Sequence, residues 1–112
     1  MSPARGEVWL CQLDPTLGHE QAGRRPVAVM SADQFNRGPS ELVVVVPLTT
    51  RDRGIPLHVG VRPPEGGVVH ESFLMPEMIR SVSQQGLVHR LGSLGPGTLA
   101  DLEDRIRVLL VL

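Results

Sequence analysis

Apolar and polar residues alternate from Glu7 to Leu13, which predicts a strand ended by Asp14-Pro15. Residues 14 to 25 form a long polar stretch, read as a loop, that carries Gly18, His19, Glu20, Gln21, Gly23, Arg24 and Arg25. A second strand is predicted over Pro26 to Ser31, entered through proline, and a single helical turn over Ala32 to Arg37 before Gly38-Pro39. Leu42 to Pro47 contains Val43-Val44-Val45-Val46, apolar on both faces, the pattern of a central buried strand. A polar turn, Thr49 to Gly54, leads to an extended piece, Pro56 to Val61. Pro63-Pro64 and Gly66-Gly67 make Arg62 to Gly67 a loop. Val68 to Leu74 and Ile79 to Val82 predict further strands, and His89 to Leu91 a short one.

The last segment changes period. Leu99, Leu102, Ile106 and Leu109 recur at helical spacing, and Thr98 with Asp101 three residues on reads as a capping box. Strands first and one helix last give a mainly β (β-rich α+β) class: a small, strongly bent antiparallel sheet or barrel, with the C-terminal helix packed on it. Residues 1–112 are expected to form one domain.

A chain of 112 residues buries a modest core, so a dimer interface is a natural supplement. The single Cys11 excludes an internal disulfide, suits a reducing cytoplasm and, set in an apolar run, reads as a packed thiol. No apolar run reaches the roughly 18 to 20 residues that cross a bilayer, and the first residues lack the apolar core of a secretory signal. A cytoplasmic protein with no membrane partner is the expectation. Net charge is −1, which argues against coating nucleic acid through bulk positive charge; an RNA partner must meet a local basic pocket. All 11 basic residues are Arg, whose forked donors match phosphate. Aromatics are confined to Trp9, Phe35 and Phe73, too few for a wide base-stacking platform, and Trp9 reads as core or dimer interface. No Cys/His or His/Asp cluster has metal-ligand spacing, so no metal and no other cofactor is expected.

Four stretches together resemble the MazF/PemK toxin family: Arg5-Gly-Glu-Val-Trp-Leu running into Leu13-Asp-Pro-Thr16; Gly18-His-Glu-Gln-Ala-Gly-Arg-Arg-Pro26 before an apolar strand; Val46-Pro-Leu-Thr-Thr50; and Ile79-Arg-Ser-Val82 preceded by Glu77. They stand in the family's order over residues 5 to about 82. The sequence departs from the family where Met78 replaces a usual Gln, with Pro76 just ahead. The resemblance implies a CcdB/MazF-like fold with an SH3-like barrel, and a homodimer. It also implies sequence-specific, metal-independent cleavage of single-stranded RNA (mRNA), and an antitoxin whose C-terminal segment lies over the RNA groove. DNA would be met only through the antitoxin.

The implied chemistry uses the ribose 2′-hydroxyl as nucleophile and yields a 2′,3′-cyclic phosphate and a 5′-hydroxyl. Arg25 stands at the family's essential arginine and Thr49 at its catalytic threonine. A guanidinium suits the developing phosphorane dianion, and because Arg keeps its proton its part is charge stabilisation. Thr49 offers a hydroxyl to a nonbridging oxygen; the alternative is turn chemistry, in which it bonds nearby backbone. His58 reads either as a general base or as a half-exposed filler of an alternating strand. His19, Glu20 and Gln21 are the loop's candidates for RNA, with Glu20 and Gln21 suited to base edges. Arg24, Arg51, Arg53 and Arg80 are candidates for a phosphate track, and Glu77 and Met78 for the groove lining. Two other readings stay open: a CcdB-like protein that binds DNA gyrase and catalyses nothing, and a decayed relative that only binds antitoxin or RNA.

Overall fold

The computed structural model describes residues 2–13 and 23–112. Its frame is an antiparallel sheet of seven strands: β1 (Glu7–Leu13), β2 (Gly23–Val29), β3 (Leu42–Thr49), β4 (Val59–Val61), β5 (Ser72–Leu74), β6 (Arg80–Ser83) and β7 (Leu87–Ser93). The order is β4-β5-β3-β2-β1-β7, and β6 joins the edge of β3 next to β5. A short helix α1 (Asp33–Asn36) links β2 to β3, and helix α2 (Pro96–Leu110) closes the chain. The mainly β class, the curled half-barrel sheet and the terminal helix agree with the sequence reading.

Both faces of the curled sheet bury apolar side chains. On one, Val8, Ala28, Val46, Leu48 and Leu74 meet Leu102 of α2, with Leu99 and Ile106 packed beside it. Burying each such side chain is worth about 1.5–3 kcal/mol. On the other, Cys11, Leu13, Val27, Val29, Val43 and Val45 form a second cluster under Trp9, Val82 and Leu87. Val43–Val46 thus serves both faces, as its unbroken apolar run predicts. Cys11 is fully buried, in keeping with a packed thiol.

Several boundaries differ from the sequence reading, each for a tertiary reason. β2 begins at Gly23, not Pro26, because Gly23, Arg24 and Arg25 pair with Leu13, Gln12 and Cys11 of β1. Pro26 is tolerated there because the bridges of β2 to β3 begin only at Val27. β3 continues past Pro47 to Thr49, since Leu48 and Thr49 pair with Leu74 and Phe73 while the Pro47 carbonyl accepts from Met75 N–H at 3.0 Å. Of the strand expected over Val68 to Leu74, only Ser72–Leu74 is paired; Val68 is buried and Val69 turns to solvent. The capping box is not used. α2 starts two residues before Thr98 with Pro96 in its first turn, and Gly95, its N-cap, donates its N–H to Glu65 Oε2 at 2.8 Å.

One buried polar residue holds the chain's start to the sheet. Asn36, 1% exposed, donates to the carbonyls of Pro3 (3.2 Å) and Ser31 (3.0 Å) and accepts from the Ser31 hydroxyl. Ser31 Oγ in turn accepts from Val44 N–H at 3.0 Å, and Gln84 donates to the Asn36 carbonyl at 2.7 Å. Every polar group in this buried knot is paired, as low dielectric demands. At the opposite edge Glu7 binds Arg90 at 2.9 Å. Partial burial raises the Glu7 carboxyl, but donors from Ala4, Trp9 and Arg90 outweigh it and hold its pKa below the usual carboxylate value.

Candidate nucleic-acid interface

Strand pairing decides which candidate side chains share a face. In β2 and β3 the bridges Val27↔Pro47, Ala28↔Val46 and Val29↔Val45 are antiparallel and regular. The last bridge is Val27↔Pro47, and Arg25 and Thr49 each stand two residues beyond it along their strands. Residues two apart on a strand share a face, so Arg25 falls with Val27 and Thr49 with Pro47. Arg80 pairs with Val45, which shares that face with Pro47 and Thr49 by strand alternation. Arg25, Thr49 and Arg80 therefore lie on the face of the second apolar cluster, away from α2.

Arg24 behaves differently. One residue from Arg25, it falls on the other face, so it does not share a track with Arg25 and Arg80 along the sheet. Arg51 and Arg53 are exposed in the segment that follows Thr49. Among the described residues, none of Arg24, Arg25, Arg51, Arg53 and Arg80 takes part in an ion pair, in contrast to Arg5, Arg62, Arg90 and Arg107. Among the described residues these five guanidinium groups are thus unmatched, in a chain of net charge −1.

Thr49 is half-buried, and its Oγ1 accepts the backbone N–H of Arg51 at 3.2 Å. The turn chemistry considered from sequence is present, but it uses an acceptor lone pair of the hydroxyl and leaves its proton for another partner. Asp52 shapes the next turn by accepting from Gly54 N–H at 2.9 Å.

The His58 ring is closed to solvent. The residue is half-buried overall through its backbone, but the side chain is 4% exposed and Nε2 lies 2.6 Å from Glu77 Oε2. Sequence reasoning named both residues separately and missed the pair, which only the pairing of β4 with β5 brings together. Glu77 and Met78 sit in a 3-10 turn, Pro76–Met78, between β5 and β6. With Ile79, Arg80 and Ser81 they line a recess of about 390 Å³. A second recess of similar volume, walled by Gln12, Leu13, Val82, Ser83 and Gln85, shares Arg80 and Ser81 with it. A larger concavity beside α1, around Phe35 and Pro39, holds none of the candidate charges, so size does not select the site. His19, Glu20 and Gln21 lie outside the described residues. Among the described residues no three His, Cys, Asp or Glu side chains are grouped so as to hold a metal ion.

The chain's likenesses to known proteins agree with this architecture. It is 28% identical over 109 residues to the endoribonuclease EndoA of Bacillus subtilis, a match covering 96% of this chain and 94% of that protein. The crystal structure of MazF from Deinococcus radiodurans superposes with a TM-score of 0.87 at 26% identity, covering 100% of this chain and 99% of that one. An endoribonuclease in complex with its cognate antitoxin, from mycobacterial species, superposes with a TM-score of 0.76 at 26% identity, covering 99% and 95%. The profile of the PemK-like, MazF-like toxins of type II toxin-antitoxin systems matches residues 4–110. The chain belongs to that family.

Proposed function

We propose that this chain cuts single-stranded RNA without a metal ion, by attack of a ribose 2′-hydroxyl on the adjacent phosphodiester. Endoribonuclease activity comes with the family, as the name of EndoA records. The finer mechanism is supported by one observation: Arg25 and Thr49 each stand two residues beyond the last β2–β3 bridge, Val27↔Pro47, and by alternation on the same side as those residues. In the reaction the 2′-hydroxyl gives up its proton as its oxygen bonds to phosphorus, the bond to the 5′-oxygen breaks, and that oxygen takes up a proton, so the net change is one proton moved from the 2′- to the 5′-oxygen. The products are a 2′,3′-cyclic phosphate and a 5′-hydroxyl end. Negative charge builds on the nonbridging oxygens, where fixed donors lower the barrier most. The exposed Arg25 guanidinium supplies a permanent charge there, and the Thr49 hydroxyl, oriented by Arg51 N–H, donates a hydrogen bond to a second oxygen. Arg51, Arg53 and Arg80 hold flanking phosphates. Glu20 and Gln21 read base edges, with His19 beside them. Arg24 is left to phosphates on the far side of β2.

The active species is a homodimer in the cytoplasm, silenced by an antitoxin whose C-terminal segment covers the RNA groove. A second copy would also cover apolar side chains that α2 leaves in water at its end, such as Val108 at 70% and Leu112 at 82% exposure. Any contact with DNA runs through the antitoxin.

Thr49 provides the test. Thr49→Val keeps a β-branched side chain at a strand end and removes only the hydroxyl. On an unstructured RNA it should cut on the order of 100-fold more slowly, while Thr49→Ser stays within several-fold of the parent. A valine variant as fast as the parent would remove the hydroxyl from the mechanism.

A further inference from the structure

The bridge Val59↔Leu74 between β4 and β5, carried one residue back along β4, sets His58 across from Met75. The ring thereby arrives at the turn Pro76–Met78, and the Met75 N–H bond to Pro47 fixes this corner to β3 two residues before Thr49. At the corner His58 Nε2 and Glu77 Oε2 are 2.6 Å apart. Among the described residues the other ring nitrogen, Nδ1, is buried and has no hydrogen-bond partner.

Those two facts choose a tautomer. A proton on Nδ1 would leave a buried donor unpaired and turn the Nε2 lone pair toward a carboxylate oxygen. A proton on Nε2 satisfies the carboxylate and leaves only a buried lone pair. His58 is therefore an Nε2–H donor to Glu77. With its side chain 4% exposed, the ring cannot meet a large ligand, whereas Glu77, 33% exposed, faces the recess it lines with Met78, Arg80 and Ser81.

We propose that His58 is a positioning residue: its Nε2–H clamps one oxygen of Glu77 so that the other accepts a hydrogen bond from RNA in the recess between Glu77 and Ser81. The proposal rests on the endoribonuclease reading. The RNA donor is a ribose 2′-hydroxyl or the exocyclic amino group of a base; both present the same N–H or O–H to a carboxylate. Arg80 supplies the opposite charge across the recess, and Met78 a flexible apolar wall.

The experiment measures single-turnover cleavage of a mapped RNA step by the full chain carrying His58→Phe, His58→Gln, Glu77→Ala or His58→Phe with Glu77→Ala, each scaled to folded protein. His58→Phe should cut about 10–100-fold more slowly, the cost of a misplaced group. His58→Gln, whose amide N–H reaches the Nε2 position, should recover most of the rate. The double variant should be no slower than Glu77→Ala, because both changes break one unit. Multiplying effects, or His58 variants that lower the unfolding temperature while the rate per folded molecule stays unchanged, would overturn the proposal.

Binding of short oligonucleotides carrying that step separates the two donors. Weaker binding of a 2′-deoxy step by the parent, but not by Glu77→Ala, assigns the 2′-hydroxyl; the same pattern on removal of an amino group assigns the base. Equal losses in both proteins for both changes would deny Glu77 its contact. Nitrogen-15 NMR of the labelled histidines should show His58 as the Nε2–H form independently of activity. An inert parent protein would remove the endoribonuclease reading itself, while the Nδ1–H form would remove the clamp alone.

Discussion

Arg25→Ala should lower RNA cleavage by 100-fold to 1,000-fold or more while leaving the fold intact. The expectation follows from where Arg25 sits and from what a guanidinium does. It is exposed near the start of β2, paired through its backbone to Cys11 and, among the described residues, to no carboxylate through its side chain. Removing the side chain breaks no described ion pair and opens no cavity, so stability should move by no more than about 0.5 kcal/mol. What the proposed reaction loses is a permanent positive charge for oxygens that become more negative in the transition state, and one such donor is worth about 100- to 1,000-fold. Arg25→Lys should fall between the two, because an ammonium keeps the charge and loses the fork. Single-turnover cleavage together with urea unfolding of each variant separates the chemical effect from a folding one. An alanine variant that keeps the parent's rate would take Arg25 out of the reaction.

Gly67→Ala should have the largest effect on stability. Gly67 has φ +73°, and a Cβ there would lie 2.1 Å from the backbone oxygen of Leu91, far inside contact distance. Gly92 reports the same close approach from the other side, since its Cβ would stand 2.7 Å from Gly66 C and Gly67 N. The 3-10 turn Glu65–Gly67 thus lies directly on β7, backbone against backbone. The expected cost is about 3 kcal/mol or more, a fall in Tm on the order of 10 °C. Gly23→Ala is the control: φ is +78°, but among the described residues nothing lies within 4 Å of the added carbon, so the left-handed backbone cost of roughly 1 kcal/mol is what applies. Equal losses at the two positions would mean that backbone conformation, not the close approach, governs Gly67.

Much of the frame was legible wherever the pattern of apolar residues is itself the cause of the structure. Glu7–Leu13 alternates and forms β1; Val43–Val46 is apolar on both faces and lies in the strand that serves both clusters. Leu99, Leu102 and Ile106 recur at helical spacing and pack under the sheet. What escaped depends on partners distant in sequence. Gly23-Arg24-Arg25 has no strand pattern of its own and is made a strand by β1. Thr98-Leu-Ala-Asp101 satisfies a capping rule, yet Pro96 starts the helix earlier and Glu65 takes up the N–H of its cap. Arg25 and Thr49 are named through family likeness, and their shared face follows only once β2 and β3 are seen to pair at Val27 and Pro47. The split of Arg24 from Arg25 follows from strand alternation once β2 is known to include both. His58 and Glu77 are 19 residues apart, and no local signal links them; their bond depends on how β4 meets β5.

The central claim is a reaction: a guanidinium and a hydroxyl on one sheet face stabilising attack by RNA's own 2′-hydroxyl. Its most direct test is to incubate the pure protein with a long unstructured transcript and a strong chelator, then determine the ends of the fragments. Discrete fragments with 5′-hydroxyl and 2′,3′-cyclic phosphate ends are expected. Intact RNA, cleavage that stops on chelation, or fragments with 5′-phosphate ends would contradict the account.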